Sequence, residues 1–136
     1  MSQTKQHEGG CHCGEVRFDV TLDLAQPASR CNCTLCTKRN TTNLVVKPGA
    51  FRVTAGEGEL GRYEWSGRTN QFYFCRRCGI HVFGRGDLPE LGGAYVSVNV
   101  NCLDDVDPAT LTVVYWDGRH DNWHAGTRAT PWPINP

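Results

Sequence analysis

The sequence predicts a mainly β fold with little helix, and three observations predict it. Apolar and polar residues alternate over short runs, as in strands buried on one face. The 15 glycines and 7 prolines are spread as turn punctuation and are not gathered into a linker. Helical apolar spacing is scarce, and the best helix candidate is one short turn from Thr34 to Asn40.

The elements follow in order. Val16, Phe18, Val20 and Leu22 alternate with Arg17, Asp19 and Thr21, giving a half-buried strand. Leu44-Val45-Val46 is a short buried run closed by the turn Lys47-Pro48-Gly49. Phe51 and Val53 alternate again, and Leu60 to Trp65 suits a further strand ending at Ser66-Gly67. Gln71 to Phe74 is rich in aromatics, with Ile80 to Phe83 as the other arm of a hairpin. Ala94 to Val100 alternates cleanly, and Leu111 to Trp116 is the last strand before an Asp117-Gly118 turn.

No repeat or second domain is visible, so residues 1–136 read as one domain. Its core runs from about residue 9 to 116, and the tail 117–136 is expected to pack on it. The tail holds Trp123, Trp132 and several prolines, too apolar a composition for a solvated linker. A chain of this size builds one modest core, which gains from metal staples.

Charge excludes some partners. The 14 basic and 14 acidic residues cancel, and no basic stripe marks a nucleic-acid footprint. No apolar run is long enough to span a bilayer. Met1 to Gly10 is polar and has no apolar signal region, so a cytoplasmic location is expected.

The chemistry lies in the cysteines. Seven of the 8 fall into three clusters: Cys11-His12-Cys13-Gly14, Cys31-Asn32-Cys33-Thr34-Leu35-Cys36 and Cys75-Arg76-Arg77-Cys78-Gly79. Disulfides are the competing reading. Cysteine content is below the ~8–10% of disulfide scaffolds, and a bridge within Cys-x-Cys would be strained. In a cytosolic chain, Cys-x-x-Cys spacing marks a metal or redox site.

The outer clusters together supply a closed set of four thiols, Cys11, Cys13, Cys75 and Cys78. The middle cluster supplies three, Cys31, Cys33 and Cys36, one short of a tetrahedron. Structural zinc sites are closed, whereas catalytic ones keep three protein ligands and an open position. Two unlike zinc ions are therefore expected, the second less fully occupied. Gly79 would supply positive φ at the knuckle turn. A four-thiolate site is net negative, so backbone N–H groups should face its sulfurs.

Other residues are open to more than one role. Cys102 reads first as a small buried side chain, with a fourth zinc ligand or a reactive thiol as alternatives. His81, just beyond Cys78, is a candidate base or proton shuttle, against a packed histidine. His12 should point away from the metal, and His7, His120 and His124 read as surface groups.

In their order and spacing, the three clusters resemble the glutathione-dependent formaldehyde-activating enzyme family, which also includes centromere protein V-like domains. The resemblance spans about Gly9 to the strand ending at Trp116. It implies an Mss4-like fold of antiparallel sheets with zinc-binding loops. It also implies structural zinc on Cys11, Cys13, Cys75 and Cys78, and catalytic zinc on Cys31, Cys33 and Cys36. The implied reaction joins a thiol, glutathione, to formaldehyde, a carbon–sulfur lyase run in reverse.

Three functions follow from these readings. One is a zinc-dependent lyase-like enzyme acting on a small-molecule thiol adduct. The second is a non-catalytic zinc module binding a protein or chromatin partner. The third is a thiol oxidoreductase like the B-type methionine sulfoxide reductases, with Cys102 as its thiol. No segment that would grip a glutathione tripeptide is evident. Arg39, Arg76, Arg77 and Arg85 are candidates for its carboxylates only by nearness to the motifs.

Overall fold

Residues 4–64 and 70–135 are described by the computed structural model, and they build two packed sheets. Strands β1 (Thr4–Gly10), β2 (Arg17–Asp23) and β5 (Phe51–Ala55) form the smaller sheet in the order β1-β2-β5. The larger one adds β3 (Ala28–Cys31), β4 (Asn43–Val46), β6 (Leu60–Glu64), β7 (Gln71–Cys75), β8 (His81–Leu88), β9 (Gly93–Asn99) and β10 (Val113–Trp116). Its order is β10-β3-β4-β9-β8-β7-β6, antiparallel throughout except for the parallel β10–β3 pair.

The β2 alternation puts Phe18, Val20 and Leu22 inside, with Val16 just ahead of the strand, all at most 3% exposed. They meet Val82, Phe83, Val96 and Val98 of the larger sheet in one core cluster. An aromatic file crosses the interface. Phe18 and Phe51 lie 5.2 Å apart, Phe51 and Phe83 4.6 Å, and Tyr73 stacks on Phe83 at 4.7 Å. Burying each such side chain is worth about 1.5–3 kcal/mol. Ring geometry adds about 0.5–1.5 kcal/mol per pair, so burial is the larger effect.

One α-helix occurs among the described residues, α1 (Thr34–Arg39), where the helical turn was expected. Six residues are too few to hold a helix by propensity, and none of them is buried. Its ends hold it. Cys33 Sγ caps the start by accepting from the Cys36 N–H at 3.3 Å. Asn40 ends it in the left-handed region at φ 57°, its N–H bonded to the Cys36 carbonyl.

The sequence reading missed β1 and β3. Both are mainly polar, and only alternate β1 positions near its end, His7 and Gly9-Gly10, are buried. The expected strand start at Leu111 moves to Val113. The expected end of β6 at Trp65 and Ser66-Gly67 lies outside the described residues. The tail returns to β10, where Arg128 pairs with Tyr115 and Trp132 Nε1 donates to the Tyr115 carbonyl at 2.9 Å. No helix of the described residues is long and apolar enough to cross a membrane.

Candidate metal centres

The first thiol group is assembled by the turns at the ends of β1 and β7. Cys11 follows β1, and Cys75 closes β7. Within this group Cys11, Cys13, Cys75 and Cys78 place their sulfurs within 4.8 Å of one another. Cys11 and Cys75 are buried, whereas Cys13 is exposed. The Val16 N–H donates to Cys11 Sγ and the Arg77 N–H to Cys75 Sγ, each at 3.3 Å, as expected for a net-negative centre. Gly79 adopts φ +78°, which lets the knuckle close with its N–H on the Cys75 carbonyl at 2.8 Å.

The second group, Cys31, Cys33 and Cys36, gathers at the end of β3 and the start of α1, again within 4.8 Å. Hydrogen bonds from the Cys31 and Cys36 thiols, then from the Cys36 and Leu35 N–H groups, hold Cys33 far below the usual thiol range, at about 2. Cys36 is pushed up by its hydrogen bonds with Cys31 and Cys33 and by burial. Without a cation these thiols share one charge, because like charges so close disfavour further ionisation. A soft dication removes that conflict, and zinc fits such donors. Both groups therefore have the chemistry of zinc sites. All eight cysteines are free thiols.

The tail holds the second group in place. Asn32, between two of its cysteines, donates to Asp117 Oδ1 at 2.8 Å. Arg119 answers with its N–H on Asn32 Oδ1 and its Nε on the Asn32 carbonyl, both at 2.9 Å. Asp117 is 5% exposed. Burial pushes its carboxyl up, but hydrogen bonds from Asn32, His120 and Asn122 outweigh this and hold it below the ordinary range. At Gly118 an added Cβ would meet Cys31 Sγ at 2.5 Å and the Trp123 ring at 2.8 Å. Asn32, Asp117, Gly118 and Arg119 escaped the sequence reading. The link between them is the Trp116–Cys31 register of a parallel strand pair, which no local motif announces.

A cleft of about 870 Å³ lies beside the first group and α1. Cys11 and His12 line it from the first, and Leu35, Lys38 and Arg39 of α1 from the side of the second. The cysteines of the second group are not among its lining residues. His81 and Cys102 both line it. His81 packs on Phe74 with ring centroids 5.4 Å apart, and its Nδ1 accepts from Arg39 Nε at 3.2 Å. Burial lowers the His81 pKa, and the Arg39 charge lowers it further.

Other candidates sort by position. Burial pushes the Cys102 thiol up to about 12, so it is a weak nucleophile and the oxidoreductase reading loses its reactive group. Cys102 Sγ donates instead to the His81 carbonyl at 3.6 Å. Arg76 and Arg85 line a separate groove of about 480 Å³, and Arg77 pairs with Glu15 at 2.8 Å. Only Arg39 of the four lines the cleft, joined by Lys38, which the sequence reading did not single out. His7 is not a surface group: it is 2% exposed, with Nδ1 3.2 Å from Asp105. His120 is engaged by Asp117 at 2.7 Å and by the Ile134 carbonyl at 3.0 Å, while His12 and His124 are exposed.

Comparison with known proteins agrees with this geometry. A crystal structure of a Rhodobacter sphaeroides protein superposes with a TM-score of 0.70 at 34% identity, covering 80% of this chain and 98% of that one. Two curated relatives carry the name "Putative glutathione-dependent formaldehyde-activating enzyme". The one from Penicillium rubens is 34% identical over 98 residues, 67% of this chain and 51% of its own length. The one from Halomonas elongata is 30% identical over 82 residues, 52% of this chain and 50% of its own. The chain thus spans about half the length of the curated relatives it matches. The pattern of the family described as glutathione-dependent formaldehyde-activating enzyme matches residues 6–118, and the chain belongs to that family.

Proposed function

We propose that the protein is a zinc-dependent carbon–sulfur lyase-like enzyme that joins a small thiol to an aldehyde and reverses the reaction. One observation carries this reading. Cys31, Cys33 and Cys36 gather as a group of three, with no fourth cysteine, histidine or carboxylate among the described residues, beside a group that is complete. Four thiolates close a structural site, and three leave a position for a reactant.

Cys11, Cys13, Cys75 and Cys78 would hold the structural ion, and Cys31, Cys33 and Cys36 the second. The second zinc would stabilise a reactant thiolate or polarise an oxygen at neutral pH. The chain's own residues do the rest. Asn32, Asp117 and Arg119 fix the loop that carries two of the thiols. The cleft is walled by α1, the helix that carries Cys36, and would confine thiol and aldehyde together beside the second centre, which supplies orientation. Lys38 places a cation at one end of the cleft, suiting a thiol that bears a carboxylate. The thiolate sulfur attacks the carbonyl carbon, a carbon–sulfur bond forms, and the oxygen takes a proton. The proton lost when the thiol ionises balances the one gained.

The two-sheet arrangement with cysteine loops supports the Mss4-like fold of the resemblance. The tail's bonds to Asn32 support reading residues 117–136 as part of the same domain, and a cytoplasmic location belongs to the proposal. Exchange NMR on ¹³C-formaldehyde with glutathione or cysteine tests the activity. Zinc-loaded protein should raise the rate of adduct exchange, and Cys36→Ser should abolish the increase. Equal rates with wild type and Cys36→Ser would refute the reading.

A further inference from the structure

Arg39 is half-buried, and no carboxylate pairs with it among the described residues. A buried cation needs compensation. Three neighbours supply it. Cys36 lies one helical turn before Arg39, and the sulfurs of Cys36 and Cys33 oppose the effect of burial on its ionised form. The Phe72 ring lies 4.4 Å below the guanidinium, a cation–π contact. His81 Nδ1 accepts from Nε at 3.2 Å. The guanidinium is thus held by the second thiol group on one side and by the cleft histidine on the other.

The histidine contact fixes more than position. Arginine has donors only, so a ring nitrogen that bonds to it must offer a lone pair. His81 Nδ1 is therefore unprotonated, and the neutral ring carries its hydrogen on Nε2. That Nε2 makes no hydrogen bond among the described residues, and His81 lines the cleft.

We infer that Arg39 is a positioning residue that locks His81 in the Nε2–H tautomer, so that the ring offers the cleft a hydrogen-bond donor and not a base. The inference rests on the reading that thiol and aldehyde meet in this cleft. There the donor faces the aldehyde oxygen as negative charge grows on it, and the proton that finally settles on the oxygen comes from solvent. A preorganised donor of this kind stabilises the transition state more than the neutral carbonyl. Arg39 is at the same time withdrawn from substrate, leaving Lys38 as a free cation of the cleft among the described residues.

Long-range ¹H–¹⁵N NMR of the zinc-loaded protein reads the tautomer directly, with or without activity. Wild type should show a protonated Nε2 and an unprotonated Nδ1, and Arg39→Gln should show a mixture of tautomers. A protonated Nδ1 in the wild type would overturn the inference whatever the enzyme does. Substitution gives a second arm. His81→Gln places an amide donor near Nε2 without basicity and should keep more than about a third of wild-type adduct exchange, whereas His81→Ala should lose at least tenfold. Equal loss in both would mean that a base is needed and would also overturn it. Absence of exchange in the wild type refutes the enzymatic reading instead, and the tautomer measurement still decides the role of Arg39. Cobalt absorption of each variant confirms that the thiol groups are intact.

Discussion

Cys13 Sγ lies 3.7 Å from Cys75 Sγ, across 62 positions of sequence. The contact fastens the end of the smaller sheet to the β7–β8 turn of the larger one. Each strand pair beside it is local, but this closure is not, and closing a long loop is where a metal clip restrains the unfolded chain most.

The two thiol groups should therefore fail differently when damaged. Zinc binding supplies about 10–16 kcal/mol in zinc-finger peptides, against a whole-domain stability of about 5–15 kcal/mol. Cys78→Ser is expected to abolish the cooperative thermal transition. Cys36→Ser should keep it and bind one zinc ion fewer by elemental analysis. Comparable melts for the two variants would make both centres structural.

The sheet was legible where apolar alternation writes it. Phe18, Val20 and Leu22 announce β2, and Tyr95, Val96 and Val98 lie in the run that becomes β9. β1 gave no such signal, because its buried positions are His7 and two glycines, held by pairing with β2. The thiol groups were legible because ligand spacing is local within each cluster. Their surroundings were not. Asn32 meets Asp117 across 85 positions, and Arg39 meets His81 across 42. Such contacts depend on strand order, which a single chain does not spell out.

Gly118→Ala tests how closely the tail fits the second group. The added methyl would press on Cys31 Sγ and the Trp123 ring, and overpacking of this kind costs about 1–3 kcal/mol. The melting temperature should fall by several degrees, and zinc should leave the second group faster under a chelator. Trp123 tilts against Trp116 at 5.8 Å, so indole fluorescence should shift as well. Wild-type zinc retention in this variant would show that the tail merely lies alongside.

Asp117→Asn separates charge from shape in the same clasp. Asn32, Asn122 and His120 all converge on this carboxylate. Replacing it should lower the melting temperature at neutral pH, because hydrogen bonds to a charged acceptor become hydrogen bonds to a neutral one. Its native pKa is depressed, so its stabilisation is present above the ordinary carboxylate range and is lost as pH falls through the native value. The gap between the melts of wild type and variant should therefore narrow on acidification. A gap that widens would place the stabilising charge elsewhere.

The last prediction concerns which thiols reach the second centre. Cobalt in place of zinc reports sulfur binding through its charge-transfer bands. Glutathione, cysteine and 2-mercaptoethanol should all change the spectrum if a coordination position is open to solvent. Arg39 is committed to His81, Phe72 and the thiol group, so among the described residues Lys38 is left as the free cation at that end of the cleft. One exposed lysine is a weak selector, since exposed ion pairs contribute about 0–1 kcal/mol. Carboxylate-bearing thiols should therefore bind within about tenfold of 2-mercaptoethanol, since ~1.4 kcal/mol is one decade. Lys38→Ala should erase even that preference and leave 2-mercaptoethanol unaffected. A strong glutathione preference that survives Lys38→Ala would require a tripeptide contact other than this cation. A spectrum unmoved by all three thiols would mean that a protein atom completes the second centre, and the enzymatic reading would fall with it.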